Sequence, residues 1–185
     1  MTQFQRFTFV FIAMLCAALW LYWGVTIIGQ TEMFLAWHER RTLATTQFAT
    51  AAGLFALQTL LLVGLLRSLK NKLDTPIIKA LALLLIGAYS THFLAGVIAV
   101  LSNNSLLADI IWLTTLILSG LLALLLGIYL WKSKFSPWLR ATGACITIGT
   151  AAILFIEILG LALIVIAFVT LAVYFYQTDA EPEVI

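Results

Sequence analysis

From residue 7 to residue 28 the chain carries no charged side chain, and apolar runs of similar length recur as far as Gln177. A hydrocarbon core about 30 Å thick is crossed by about 20 helical residues. Composition agrees. The chain is 63% apolar and 10% charged, with a mean hydropathy of +1.10, whereas a soluble domain is about 45–50% apolar and about 25% charged. Too few polar side chains remain to hydrate a folded surface. The balance also excludes a disordered tail and a nucleic-acid binder. A net charge of +2 selects no partner.

The expected fold is all-α, a polytopic transmembrane helix bundle forming a single integral membrane domain over residues 1–185. Its six expected spans cover residues 7–28, 44–66, 77–101, 106–131, 141–157 and 160–177. The first run exceeds a typical signal-peptide core and ends in Gly29-Gln30-Thr31-Glu32 without a small-x-small cleavage site, so it reads as a retained span. Asp74 or Thr75 can cap the third span ahead of Pro76, Ser105 the fourth, and Ser136-Pro137 the fifth. Residues 141–177 pose a choice. As one helix they would run about 55 Å and hold Glu157 in lipid. A break at Glu157-Ile158-Leu159-Gly160, with Gly160 supplying the turn, gives two spans and puts Glu157 at the interface. Five spans is the alternative.

Charge sets the orientation. Arg6, Arg67, Lys70, Lys72, Lys79, Lys132, Lys134 and Arg140 fall on one side, and Arg40 and Arg41 on the other. The positive-inside rule makes the first side cytoplasmic and with it the N-terminus. Six spans bring the acidic tail 179–183 inside as well, and five leave it outside. Trp131, Tyr129, Trp138, Tyr174 and Tyr176 would form an inner aromatic belt, with Trp20, Trp23 and Trp112 nearer the outer one.

Small residues mark expected helix–helix seams. They are Gly87, Thr91, Ala95 and Ala99 with the adjacent Ala88, His92 and Gly96, and Thr142, Cys145, Gly149 and Ala152. The leucines of the fourth span (121, 122, 124, 125 and 126) are expected to face lipid over much of its girth. Cys16 and Cys145 lie in apolar runs and read as buried thiols with no structural disulfide.

His92 is the ionisable residue deepest in an expected span, and such a group is a functional candidate by default. Tyr89, Thr91, Thr50, Thr114, Thr115 and Tyr22 fall near its depth. With His92 they would line a polar pocket opening to the outer half. The competing reading makes His92 a packing device that hydrogen-bonds a threonine or a carbonyl. Glu157, Asp109 and His38 are secondary candidates. Asp109 reads as a helix-terminal carboxylate, Gln58 as a hydrogen bond to a neighbouring helix, and 34–41 as an interfacial stretch. His38-Glu39 lacks the second histidine of a zinc site, since position 42 is Thr42. Asn103-Asn104-Ser105 matches a glycosylation acceptor in a loop too short to use it. No catalytic, metal or cofactor motif is present, and Ser90 and His92 at i, i+2 face different ways.

The stretch Tyr129-Leu130-Trp131-Lys132-Ser133-Lys134-Phe135-Ser136-Pro137-Trp138-Leu139 resembles the loop between the fourth and fifth spans of a group of uncharacterised small six-helix bacterial inner-membrane proteins. The resemblance covers about the second half of the chain, implies a bacterial origin and transfers no functional residue. Length and span number also suit the substrate-binding subunit of a multi-component vitamin importer, without a diagnostic motif. The functional expectation is a non-enzymatic, transport-related ligand-binding module or an accessory subunit. Its partners would be the lipid bilayer and either a membrane protein or a second copy, with no nucleic acid and no cofactor. The alternative is a small redox or lipid-modifying enzyme using His92 with Glu157 or Asp109.

Overall fold

The computed structural model describes residues 1–28, 45–69, 76–101, 106–153 and 155–178, without the side chains of 25–28, 45–51, 95, 96, 98–101, 106–109, 112 and 113. Every element among them is a helix: α1 (Gln3–Ile28), α2 (Thr45–Ser68), α3 (Pro76–Leu101), α4 (Leu106–Lys132), α5 (Pro137–Ala152) and α6 (Glu157–Gln177). Four stretches are long and apolar enough to cross a membrane: Gln3–Gly24, Pro76–Leu94, Thr114–Lys132 and Glu157–Gln177. Pro76 opens α3 as expected, and Ser136 caps α5, its hydroxyl accepting from the Trp138 N–H ahead of Pro137 at the first helical position. Asp74, Thr75, Ser105, Asn103 and Asn104 lie outside the described residues, as do Arg40, Arg41, Lys70, Lys72 and the tail 179–183.

Each helix packs on its neighbours in sequence, and α6 returns to pack on α1, closing a ring. Successive helices run in opposite directions. Phe9 of α1 lies over Gly64 and Leu19 near Gly53 of α2. Phe9 also meets Phe175 of α6, while Leu161 reaches Gly24. The start of α1 and the end of α6 therefore share one end of the bundle, where the Arg6 guanidinium donates to the Tyr176 carbonyl. The ring is filled at this terminal end. Phe175, Leu69, Leu130 and Leu139 are almost wholly buried there, and Tyr174 Oη donates across the ring to Ser68 Oγ at 3.1 Å. The outward surface is as apolar as the interior. Phe4, Phe7 and Phe11 of α1, Leu83 and Leu84 of α3, Leu121 and Leu125 of α4, and Ile166 of α6 are all exposed. A fold stabilised against water would bury such side chains; lipid tails solvate them at no cost.

Residues 141–177 form two helices, not one. The break falls earlier than the sequence suggests, at residues 153–156, with Glu157 as the first residue of α6 and exposed. Gly160 does not make the turn, and no described glycine has positive φ. Its place is the α5–α6 contact, where a Cβ would lie 2.6 Å from Ile153 Cα and 2.9 Å from the Gly149 carbonyl oxygen. Thr142 and Thr170 close the same interface with hydroxyls 2.9 Å apart.

The seams differ from expectation in phase. The Gly87–Thr91 row faces outward; nothing approaches within 4 Å of a Cβ at Gly87, and Thr91 is exposed and turns its hydroxyl back to the Gly87 carbonyl. The adjacent Ala88 and His92, also expected in the seam, are the ones that are buried. On α5 the expected Thr142 and Gly149 are buried and Cys145 is half-buried. The closest approach, however, is made by Gly143, which touches Gly127, Leu130 and Trp131 of α4 with backbone against backbone. The α4 leucines divide. Leu121 and Leu125 face out, and Leu122 and Leu126 point in. Both cysteines are free thiols.

Candidate functional site

Buried polar side chains in an apolar bundle are few, and each must find a partner or cost energy. Among the described residues they are Gln58, His92, Thr115, Ser119 and Thr142. Two of them meet. His92 of α3, 4% exposed, places Nδ1 3.1 Å from Thr115 Oγ1 of α4. The Thr115 hydroxyl proton points at the Ile111 carbonyl, 2.8 Å away. With that proton so placed, Thr115 Oγ1 can accept from His92 Nδ1–H. The aromatic ring of Phe55 from α2 covers the imidazole, centroid to centroid 5.0 Å, and meets Tyr89 edge-on at 5.5 Å. His92 thus joins α3 to α4 by a hydrogen bond and to α2 by ring packing.

Interhelical hydrogen bonds of this kind average about 0.6 kcal/mol in bilayers, with an upper value of about 1.7 kcal/mol. Thr115→Val keeps the volume and removes the acceptor. It should cost about 1 kcal/mol in thermal unfolding in detergent, with helix content unchanged. No loss would place the His92 donor on another acceptor.

The remaining candidates are distributed as follows. Ser90 and Thr91 hydrogen-bond the carbonyls of Ile86 and Gly87 in their own helix, so their hydroxyls are engaged locally. Thr114 is exposed, as is Tyr22 at 56%. Glu157 is exposed on α6, whose packing partners are α5 and α1, away from the α3–α4 pair that holds His92. Thr50 and Asp109 belong to α2 and α4 but their side chains lie outside the described residues, and His38 lies outside them altogether. Among the described residues no group of three His, Cys, Asp or Glu side chains could hold a metal ion.

Two groups not assigned to the site from the sequence stand at the same level. Leu19 faces Gly53, two residues from the Phe55 that lies on His92. Trp20, Gln58, Tyr89 and His92 therefore occupy a layer about 8 Å thick along the bundle at the helical rise. The Trp20 indole N–H is buried with no hydrogen-bond partner among the described residues. Gln58 was expected to bond a neighbouring helix; it is 8% exposed, and no described residue hydrogen-bonds its amide. A buried polar group left unmatched costs about 1–3 kcal/mol. A glutamine in mid-span was the available signal for the second group; an indole gave none, because tryptophan is equally at home in an interfacial belt.

The layer combines a donor, an amide that can donate and accept, and an imidazole, walled by Phe55 and Tyr89. That set suits hydrogen bonding to a weakly polar molecule. Comparison with known proteins finds no match, whether to a family model, a curated protein or a solved structure.

Proposed function

We propose that this is a six-span integral membrane protein that binds a small, mainly apolar molecule carrying an acceptor oxygen, held in the layer of Trp20, Gln58 and His92. The observation that carries the reading is the buried Trp20 indole N–H, left without a hydrogen-bond partner among the described residues in the same layer as the buried Gln58. A carbonyl oxygen can accept from the indole N–H, and a second polar atom of the same molecule can meet the Gln58 amide farther along the layer. The ligand is the natural claimant of those bonds.

The alternating ring supports six crossings. The short α5 has 16 residues, about 24 Å. It still crosses if the α5–α6 apex sits in the headgroup layer, and the exposure of Phe155 (86%), Ile156 and Ile158 beside Glu157 supports that depth. All six described Lys/Arg side chains (Arg6, Arg67, Lys79, Lys132, Lys134 and Arg140) belong to the terminal end, which supports cytoplasmic termini. The resemblance of the loop 129–139 supports a bacterial inner membrane. The role is non-enzymatic and transport-related, as a carrier or as the ligand-binding subunit of a membrane complex.

The test is purification in mild detergent followed by mass identification of whatever accompanies the chain. Wild type should release a small apolar compound. Gln58→Leu should release none, while remaining folded and at least as stable as stripped wild type. An intact complex with another membrane protein and no small molecule would replace the reading with an accessory subunit. A chain that emerges alone, with Gln58→Leu indistinguishable from it, would remove the ligand.

A further inference from the structure

A groove of about 240 Å³ lies where α4 ends and α5 begins, lined by Trp131, Pro137, Arg140, Ala141 and Ala144. Its rim is basic. Arg140, Lys132 and Lys134 are all exposed. Among the described residues none of these three has a carboxylate partner, and the one carboxylate whose side chain is described, Glu157, belongs to the opposite end. The face of α5 on which it opens continues as an apolar stripe. Ala141 and Ala144 are followed by the exposed Ile148 and Ala151, a spacing of three and four that keeps all four on one helical face. Small residues at the head of this stripe leave room for a chain to lie against the helix. The half-exposed Trp131 supplies an amphipathic ring at interfacial depth.

We infer that this groove is a binding site for an anionic glycerophospholipid, with the phosphate held by Arg140 between Lys132 and Lys134, and one acyl chain laid along Ala141, Ala144, Ile148 and Ala151. Charge complementarity selects the headgroup. A guanidinium can hold two phosphate oxygens at once, and a zwitterionic choline headgroup would bring a cation into a basic rim. The apolar stripe selects a lipid over free phosphate, which could not use it. The inference rests on the membrane reading alone and is independent of the Trp20–Gln58 layer.

The test is native mass spectrometry of the full chain, delipidated in detergent and offered phosphatidylglycerol or phosphatidylcholine with identical acyl chains. Wild type should retain phosphatidylglycerol in preference to phosphatidylcholine. Arg140→Gln should lower phosphatidylglycerol retention about fivefold, the effect of one basic residue at an anionic surface. Arg67→Gln, an equal change of charge at an exposed position of α2 at the same end, should leave it unchanged. Equal retention of the two lipids, wild-type retention by Arg140→Gln, or an equal loss in Arg67→Gln would overturn the site. In each of those cases the protein would still partition into membranes, so the site can fail while the membrane reading stands.

Discussion

Gly143→Leu should separate α4 from α5 and prevent recovery of a monodisperse protein in detergent. A Cβ at position 143 would lie 2.6 Å from the Gly127 carbonyl oxygen and 2.8 Å from the Leu130 carbonyl carbon, and it would collide with the Trp131 amide nitrogen. All three are backbone atoms of α4, so no side-chain rotation can relieve the contact. Overpacking of a core costs about 1–3 kcal/mol when side chains can adjust; with two backbones opposed, about 3 kcal/mol or more is expected. In lipid that loss is serious, because close packing and interhelical hydrogen bonds hold the helices together once water is absent. Gly87→Leu is the matched control. Its Cβ meets nothing within 4 Å, so the variant should stay within about 0.5 kcal/mol of wild type. The check is thermal unfolding by circular dichroism together with size-exclusion profiles. Equal behaviour of the two variants would mean that α4 and α5 are not in backbone contact.

Phe175→Ala should be the most damaging substitution of a side chain. Phe175 is wholly buried and stacks with Phe9 at 5.3 Å and with Tyr174 at 5.5 Å. It ties α6 to α1 where the ring closes. In a soluble core such a change costs about 3–5 kcal/mol, part of it for transfer from water. The unfolded reference in a bilayer is a set of separated helices in lipid, which weakens the transfer part. The cavity part persists; about 100 Å³ of lost side chain at about 24 cal/mol per Å³ gives about 2 kcal/mol. Phe7→Ala, on the exposed face of the same α1 turn, should cost little. A Phe175→Ala protein as heat-stable as wild type would show that α6 does not close on α1.

The parts of this architecture legible in the sequence are those written in charge and caps. Pro76, Ser136-Pro137 and the basic clusters mark helix ends because each acts locally, through a missing N–H, a side-chain cap or the cost of charge in lipid. The split of residues 141–177 was legible for the same reason, since Glu157 could not remain in mid-membrane. The contact faces were not. Helices that are apolar all round give no hydrophobic phase, so Gly87–Thr91 and Ala88–His92 are equivalent rows on paper, and the structure buries only the second. Spacing points to Thr142 and Cys145 rather than to Gly143, because which small residue meets a backbone depends on crossing geometry that spacing does not encode. At the candidate site, His92 and Thr115 could both be named from depth and polarity. Their bond could not, nor could the unmatched Trp20 indole, because an unmet hydrogen bond is a property of the packed bundle.

The central claim is that lipid tails solvate the outward faces bearing Phe4, Phe11, Leu83, Leu121 and Ile166. Alkaline carbonate washing of membranes from expressing cells tests it most directly. The full-length chain should stay with the sedimented bilayers and leave them only when detergent is added. Release into the wash as a monodisperse species free of amphiphile would contradict the account.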